Sequence, residues 1–180
     1  GNEKYIRGKG IEIAESVSEK LSELRCQGKA SVITAADGRV IGVTALSDVL
    51  RENAAEVTNA LSDVGVKSVL LTGDNRYTAE YFAAKAGISE LRAELLPEEK
   101  VSSIKELQKN GGVVCMVGDG VNDAPALKTA DVGIAMGSMG SDIAVEAADI
   151  ALVSDDIGKL PYLKRLSKST VNTIKLSIFL

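Results

Sequence analysis

Apolar residues recur at helical spacing from Ile11 to Gln27, at Ile13, Val17, Leu21 and Leu24, with Gly28 placed to end that helix. Two β-rich runs follow, Ala30 to Ala35 and Arg39 to Thr44, and the intervening Ala36-Asp37-Gly38 predicts a hairpin. Then the pattern becomes regular. A helix from about Arg51 to Val64 leads into a strand, Lys67 to Leu71, and a second helix, Asn75 to Ala86, is ended by Gly87. A short strand near Leu91 to Leu95 precedes a helix from Pro97 to Lys109, and Pro97 suits its first turn. The strand Val113 to Val117, a short helix near Pro125 to Thr129, the strand Val132 to Met136, a helix from Ser141 to Ala147 and the strand Ile150 to Val153 complete the series. Strands alternating with helices predict an α/β fold, with a mostly parallel sheet, helices on both faces and right-handed crossovers. Ser154 to Pro161 is the only linker-like stretch, and a terminal helix follows it.

The 180 residues support one domain, with room for a small appendage, and the 45% apolar and 26% charged content is ordinary for a globular chain. A net charge of -4 and the absence of a basic run argue against a nucleic-acid partner. Aromatic content of 3% removes base-stacking platforms as well. Cys26 and Cys115 lie far apart, one on a polar helix and one in an apolar strand, so neither a disulfide nor a metal site is suggested and a soluble, reduced, cytosolic setting is expected. No secretory signal opens the chain and no stretch is long enough to span a bilayer. Its last helix carries Lys164, Arg165, Lys168 and Lys175 and turns apolar at Leu176 to Leu180. That pattern fits a cytoplasmic segment entering a membrane, and equally an amphipathic helix docking on its own domain.

The most informative stretch is Val117 to Leu127, Val-Gly-Asp-Gly-Val-Asn-Asp-Ala-Pro-Ala-Leu, directly after an apolar run. A buried strand closed by Gly-Asp-Gly delivers Asp119 and Asp123 to a strand's C-terminal edge, where open α/β sheets bind ligands. Two carboxylates four residues apart, among Gly118, Gly120 and Asn122, suit a hard divalent cation that keeps some of its waters, which points to Mg2+. A helix-loop-helix calcium site does not fit, because Ala124 and Ala130 stand where Gly and Glu are required. The competing reading is a turn in which Asp123 caps the following helix. Thr72-Gly73-Asp74-Asn75 repeats the logic of a strand opening into a helix: Thr72 can offer a hydroxyl and Gly73 lets backbone N–H groups approach an anion. There the competing reading is that Asp74 or Asn75 is an N-cap. In Pro97-Glu98-Glu99-Lys100, Lys100 is either a solvated surface charge or a cation that a phosphate or carboxylate holds against the helix dipole.

Together these three motifs resemble the haloacid-dehalogenase superfamily, and more narrowly the phosphorylation domain of P-type cation ATPases. The resemblance extends to Ala130-Asp131-Val132-Gly133-Ile134-Ala135-Met136-Gly137, Ser141-Asp142 and Glu146-Ala147-Ala148-Asp149. Asp155-Asp156-Ile157-Gly158-Lys159-Leu160-Pro161 and the basic helix look like the heavy-metal branch, with a lean to the zinc, cadmium and lead type. Residues 1–28 would be the tail of a nucleotide-binding domain and a connecting helix, 29–158 the C-terminal part of the phosphorylation domain, and 159–180 a stalk helix leading towards a membrane span. The resemblance implies ATP and Mg2+ as cofactors, with the nucleotide-binding, actuator and membrane domains of a heavy-metal pump as partners. It implies a place at the cytoplasmic face of a membrane. It also implies roles. Asp119 would bind Mg2+, Asp123 would ligate it or orient its waters, and Asn122 would hold the loop. Lys100 would neutralise the phosphoryl oxygens and the attacked carboxylate, Thr72 and the Gly73 N–H would bind the phosphoryl group, and Asp74 would fix its loop or touch nucleotide.

Such pumps phosphorylate an Asp in Asp-Lys-Thr-Gly-Thr, which this chain lacks, since Asp37, Asp48 and Asp156 have the wrong neighbours. The chain alone is therefore expected to be inactive, with a Rossmann-like fold left incomplete by the absence of the nucleophile strand. In the superfamily's order that strand separates Lys67 to Leu71 from Val113 to Val117. The two are then expected to meet directly, to borrow a strand, or to fold poorly. A phosphatase of the same superfamily and a catalytically silent binding module are the alternative functions.

Overall fold

The hydrophobic pattern misses the first helix, α1 (Glu3–Gly8), which has a single buried residue, Ile6. A local device starts it: Asn2 Oδ1 accepts the Tyr5 N–H at 2.8 Å, the bond that an N-cap supplies. Helix α2 (Glu15–Cys26) buries Leu21 and Leu24, and the hairpin of β1 (Ala30–Ala36) and β2 (Arg39–Leu46) brings Ile33 against it. Ile6, Ile13, Leu21 and Ile33 form one core, to which Val17, Ala35, Val40 and Val43 add. In the hairpin turn Asp37 takes φ 49°, a conformation that Asn and Asp tolerate better than most residues.

The computed structural model describes residues 1–109, 111–118, 121–136, 145–154 and 156–179. Beyond the hairpin the elements alternate as expected: α3 (Ala54–Asp63), β3 (Val69–Leu71), α4 (Arg76–Ala86), β4 (Glu90–Arg92), α5 (Pro97–Lys109), β5 (Cys115–Gly118), α6 (Ala124–Thr129), β6 (Val132–Met136), β7 (Ile150–Leu152) and α7 (Lys159–Phe179). A turn of 3-10 helix, Val121–Asp123, leads into α6. The expected helix Ser141 to Ala147 lies mostly outside the described residues, and so does Asp119. Asn75 starts α4 by accepting the Thr78 N–H at 3.1 Å, and Gly87 ends it in the left-handed region at φ 71°.

All the pairing after the hairpin is parallel, β3 with β4 and β5 with β6 with β7. Burial on β6 explains its position in the middle of three strands. Ala135 joins Ile104, Met116, Ala126 and Leu127 on one face, under α5 and α6. Ile134 and Met136 join Leu152 on the other, where Ile157, Leu160 and Leu163 close the layer. Helices thus cover both faces, and side chains of the size of Ile134 and Met136 contribute about 1.5 to 3 kcal/mol each when fully buried. Two carboxylates fix the strand entries: Asp131 Oδ2 accepts the Val114 N–H and Asp149 Oδ2 the Gly133 N–H, each at 2.8 Å.

Of the outcomes expected for the two strands flanking the absent one, direct pairing is not seen. Among the described residues no backbone hydrogen bond joins β3 to β5, and the chain holds two separate parallel ladders. Side chains connect them instead. Leu71 of β3 packs on the cluster of Ile104 and Met116, and α5, which follows β4, packs on α6, which follows β5. A helix layer shared by both ladders holds their edges at the spacing its own side chains require, so the gap is spanned without ladder bonds. Helix α7 docks by its first turns only; Pro161 is its buried residue, and from Lys164 to Phe179 every residue is exposed. No helix among the described residues is long and apolar enough to cross a membrane.

Candidate functional site

Two loops and a helix start meet at the C-terminal ends of the strands. The loop after β3 is locked onto the segment after β4 by backbone bonds: Thr72 N to Arg92 O at 3.0 Å, Leu95 N to Thr72 O at 3.0 Å, and Glu94 N to Asp74 O at 2.9 Å. This continues the β3–β4 pairing past the strands. A Cβ on Gly73 would stand 3.2 Å from Leu95 O, a tight contact that the glycine avoids. Within the loop Thr72 Oγ1 donates to Asp74 Oδ2 at 2.8 Å and accepts the Asp74 N–H at 3.1 Å. Asp74 is thus a loop brace, and Asn75 alone is the helix cap.

The segment tied to this loop runs into α5, whose start is set by Glu99 Oε2 accepting the Leu96 N–H at 2.8 Å. Sequence reasoning passed over Glu99, although an acidic side chain three residues into a helix is the usual reciprocal cap. One residue on, Lys100 reaches across to Asp123, Nζ to Oδ1 at 2.7 Å, with the two side chains only 16% and 15% exposed. This bears on the surface reading of Lys100 and the capping reading of Asp123. Lys100 is not a solvated surface charge, and Asp123 makes no side-chain capping bond to α6. The pair joins the loop after β5 to the helix after β4, across the gap between the ladders.

Gly118 permits the placement of Asp123. A Cβ there would fall 2.9 Å from Asp123 Cβ and 3.1 Å from Oδ2, so the carboxylate lies against backbone bare of a side chain. Asn122, expected to hold the loop, is exposed and makes no hydrogen bond among the described residues. Thr72, Gly73 and Asp74 share a loop tied by backbone bonds to the segment that leads into α5, and Lys100 at the start of α5 pairs with Asp123, while Asp119 lies outside the described residues. The donor set suits Mg2+ in kind. Asp123 is a hard oxygen donor, and Mg2+ is commonly held by one or two carboxylates with water and phosphate oxygens making up the rest. No group of three or more acidic, Cys or His residues gathers elsewhere among the described residues. Cys26 and Cys115 are free and exposed. Asp156 accepts the Gly158 N–H at 2.9 Å at the start of α7, a structural role that agrees with its exclusion as a nucleophile.

Comparison with known proteins gives a consistent picture. Residues 1–131 match the haloacid dehalogenase-like hydrolase family. The chain is 47% identical over 160 residues to a probable cadmium-transporting ATPase of Staphylococcus aureus (strain MRSA252), covering 88% of this chain and 22% of the relative. It is 41% identical over 180 residues to copper-transporting ATPase 2 of Homo sapiens, covering 100% of this chain and 12% of the relative. Among solved structures, a zinc-transporting PIB-type ATPase in the E2.Pi state superimposes with a TM-score of 0.81 at 39% identity, over 94% of this chain and 28% of that one. The chain therefore spans a minor part of the length of the proteins it matches.

Proposed function

The chain belongs to the haloacid dehalogenase-like hydrolase family, and from that premise we propose that it is the C-terminal part of the phosphorylation domain of an ATP-driven heavy-metal pump, at the cytoplasmic face of a membrane. The observation that carries the reading is the Lys100–Asp123 contact at 2.7 Å, which joins the start of α5 to the turn after β5, two segments that a phosphoryl-transfer site must bring together. Cadmium, copper and zinc all stand in the names of similar proteins, so the class of cargo is a heavy-metal cation.

Phosphoryl transfer depends on positioning and on neutralising charge at the phosphoryl oxygens. In this reading Thr72 and the Gly73 N–H receive a phosphoryl oxygen, and Asp74 holds the Thr72 hydroxyl in place for it. Lys100 supplies positive charge beside the transferred group. Asp123, with Asp119 ahead of it in the chain, would hold Mg2+, which would supply charge neutralisation at the phosphate. The attacked carboxylate comes from the part of the pump outside this chain. The tail of the nucleotide-binding domain and its connecting helix are read as residues 1–28 and the phosphorylation domain as 29–158; the cluster of Ile6, Ile13, Leu21 and Ile33 supports the alternative that the hairpin goes with the first unit and that the division falls near the exposed residues 46–49. Helix α7 is the stalk.

The test uses a full-length pump containing this segment and ATP labelled on its γ-phosphate. Acid-stable phosphoenzyme is expected from the intact pump and not from this chain alone, and Lys100→Ala should abolish it. Near-normal phosphoenzyme in that variant would remove Lys100 from the site.

A further inference from the structure

Lys100 occupies a position that the mechanism above leaves unexplained. If its work is to meet a phosphoryl group, its ammonium could rest in solvent until one arrives. It rests instead on Asp123 Oδ1 at 2.7 Å, with both side chains largely withdrawn from water. Among the described residues Asp123 makes no capping bond to α6. Lys100 lies in the first turn of α5, where the helix dipole disfavours a cation, so it needs a carboxylate while no anion is bound. The Glu99 cap on Leu96 and the backbone bonds between Thr72, Glu94 and Leu95 fix the root of its side chain relative to the phosphoryl-binding loop.

We propose that Lys100 is an exchangeable counter-ion: it holds Asp123 when no metal is present, competes with a divalent cation for the same oxygen, and is released towards the Thr72 loop when the cation binds. The inference rests on the reading of Asp123 as a metal ligand. A dication on Oδ1 would stand beside an ammonium that now touches that oxygen, and like charges so close repel strongly where water is partly excluded. At that oxygen one of the two must give way. Lys100 has the flexible stem to do so, whereas Asp123 is seated against Gly118. The consequence is an order of events. Metal binding frees the positive charge that an incoming phosphoryl oxyanion requires, so metal and oxyanion favour each other's binding by linkage.

Amide NMR titration of the whole chain with Mg2+ tests the competition, read at Gly118, Asn122 and Asp123. Lys100→Met should bind Mg2+ about tenfold more tightly than the unaltered chain, the scale of effect expected from removing one adjacent positive charge. Lys100→Arg, which keeps the charge, should stay near the unaltered affinity. A second measurement needs no variant: acylation of the Lys100 amine, followed by mass spectrometry, should speed up several-fold at saturating Mg2+. Equal or weaker affinity in Lys100→Met, or a Lys100 that stays protected at saturating Mg2+, overturns the exchange and leaves the metal site standing. Silence of those amides in both chains overturns the metal site and the exchange together.

Discussion

Lys100 also changes what truncation should do to stability. Read as an exposed lysine, its loss would cost no more than the surface scale of about 0.5 kcal/mol. In the folded chain it neutralises a carboxylate that is 15% exposed, and its removal leaves Asp123 short of its partner. Lys100→Ala should therefore destabilise the chain by about 1 to 3 kcal/mol in urea unfolding, the cost of an unpaired, partly buried polar group. A loss under about 0.5 kcal/mol would mean that water already screens the pair. The Val114 N–H, and then Gln108, hold the Asp131 carboxyl below the ordinary range, as Arg25 and then Arg7 do for Glu3. A carboxyl depressed in the folded state contributes stability above its unfolded pKa and loses it as pH falls through the folded value. Thermal stability should accordingly fall below about pH 4, near the unfolded Asp value, and Asp131→Asn should flatten that acid limb. An acid limb identical in the variant would show that Asp131 does not contribute to it.

At the scale of elements, the α6–β6 unit has little room for change. A Cβ on Gly133 would stand 2.7 Å from the Leu127 carbonyl oxygen, a backbone atom that cannot rotate away. Gly133→Ala should push α6 off β6 and cost about 1 to 3 kcal/mol, as overpacking does. Because α6 follows the Asp123 turn directly, the shift should also disturb the Lys100–Asp123 pair. Denaturant melts measure the first effect, and the amide shifts of Asp123 the second. A neutral substitution would mean that the contact between α6 and β6 is looser than 2.7 Å implies.

For the whole molecule, the segment between the two cores is the place to look. Residues 46–49 are exposed, with Leu46 at 58% and Val49 at 90%, and they lie between the cluster around Ile33 and the α/β layers. Brief digestion with thermolysin, which cuts before large apolar residues, should nick the chain internally at this segment before it cuts within β1 to β2 or β5 to β7. A first internal cut inside either ladder would contradict a division near residues 46–49. The same division separates the helix-and-hairpin unit from the loops of the candidate site, so the nick should leave the Lys100–Asp123 contact intact.

Much of this was legible in order along the chain. Apolar periodicity identified α2 through α6 and all seven strands to within a few residues, because strand and helix periods are properties of neighbouring side chains. The motifs around Thr72, Lys100 and Asp123 could be read as loop ends for the same reason. Helix α1 escaped because its start depends on one Asn2 side chain and it buries only Ile6. Between surface lysine and ion-pair partner, the sequence left both readings of Lys100 standing. Only the tertiary structure could choose, since a charge takes its role from what stands 2.7 Å away, and Lys100 and Asp123 are 23 residues apart in the chain. The same holds for the unpaired edges of β3 and β5. Strand propensity is local, whereas pairing depends on the helix layer that holds two ladders at a fixed spacing.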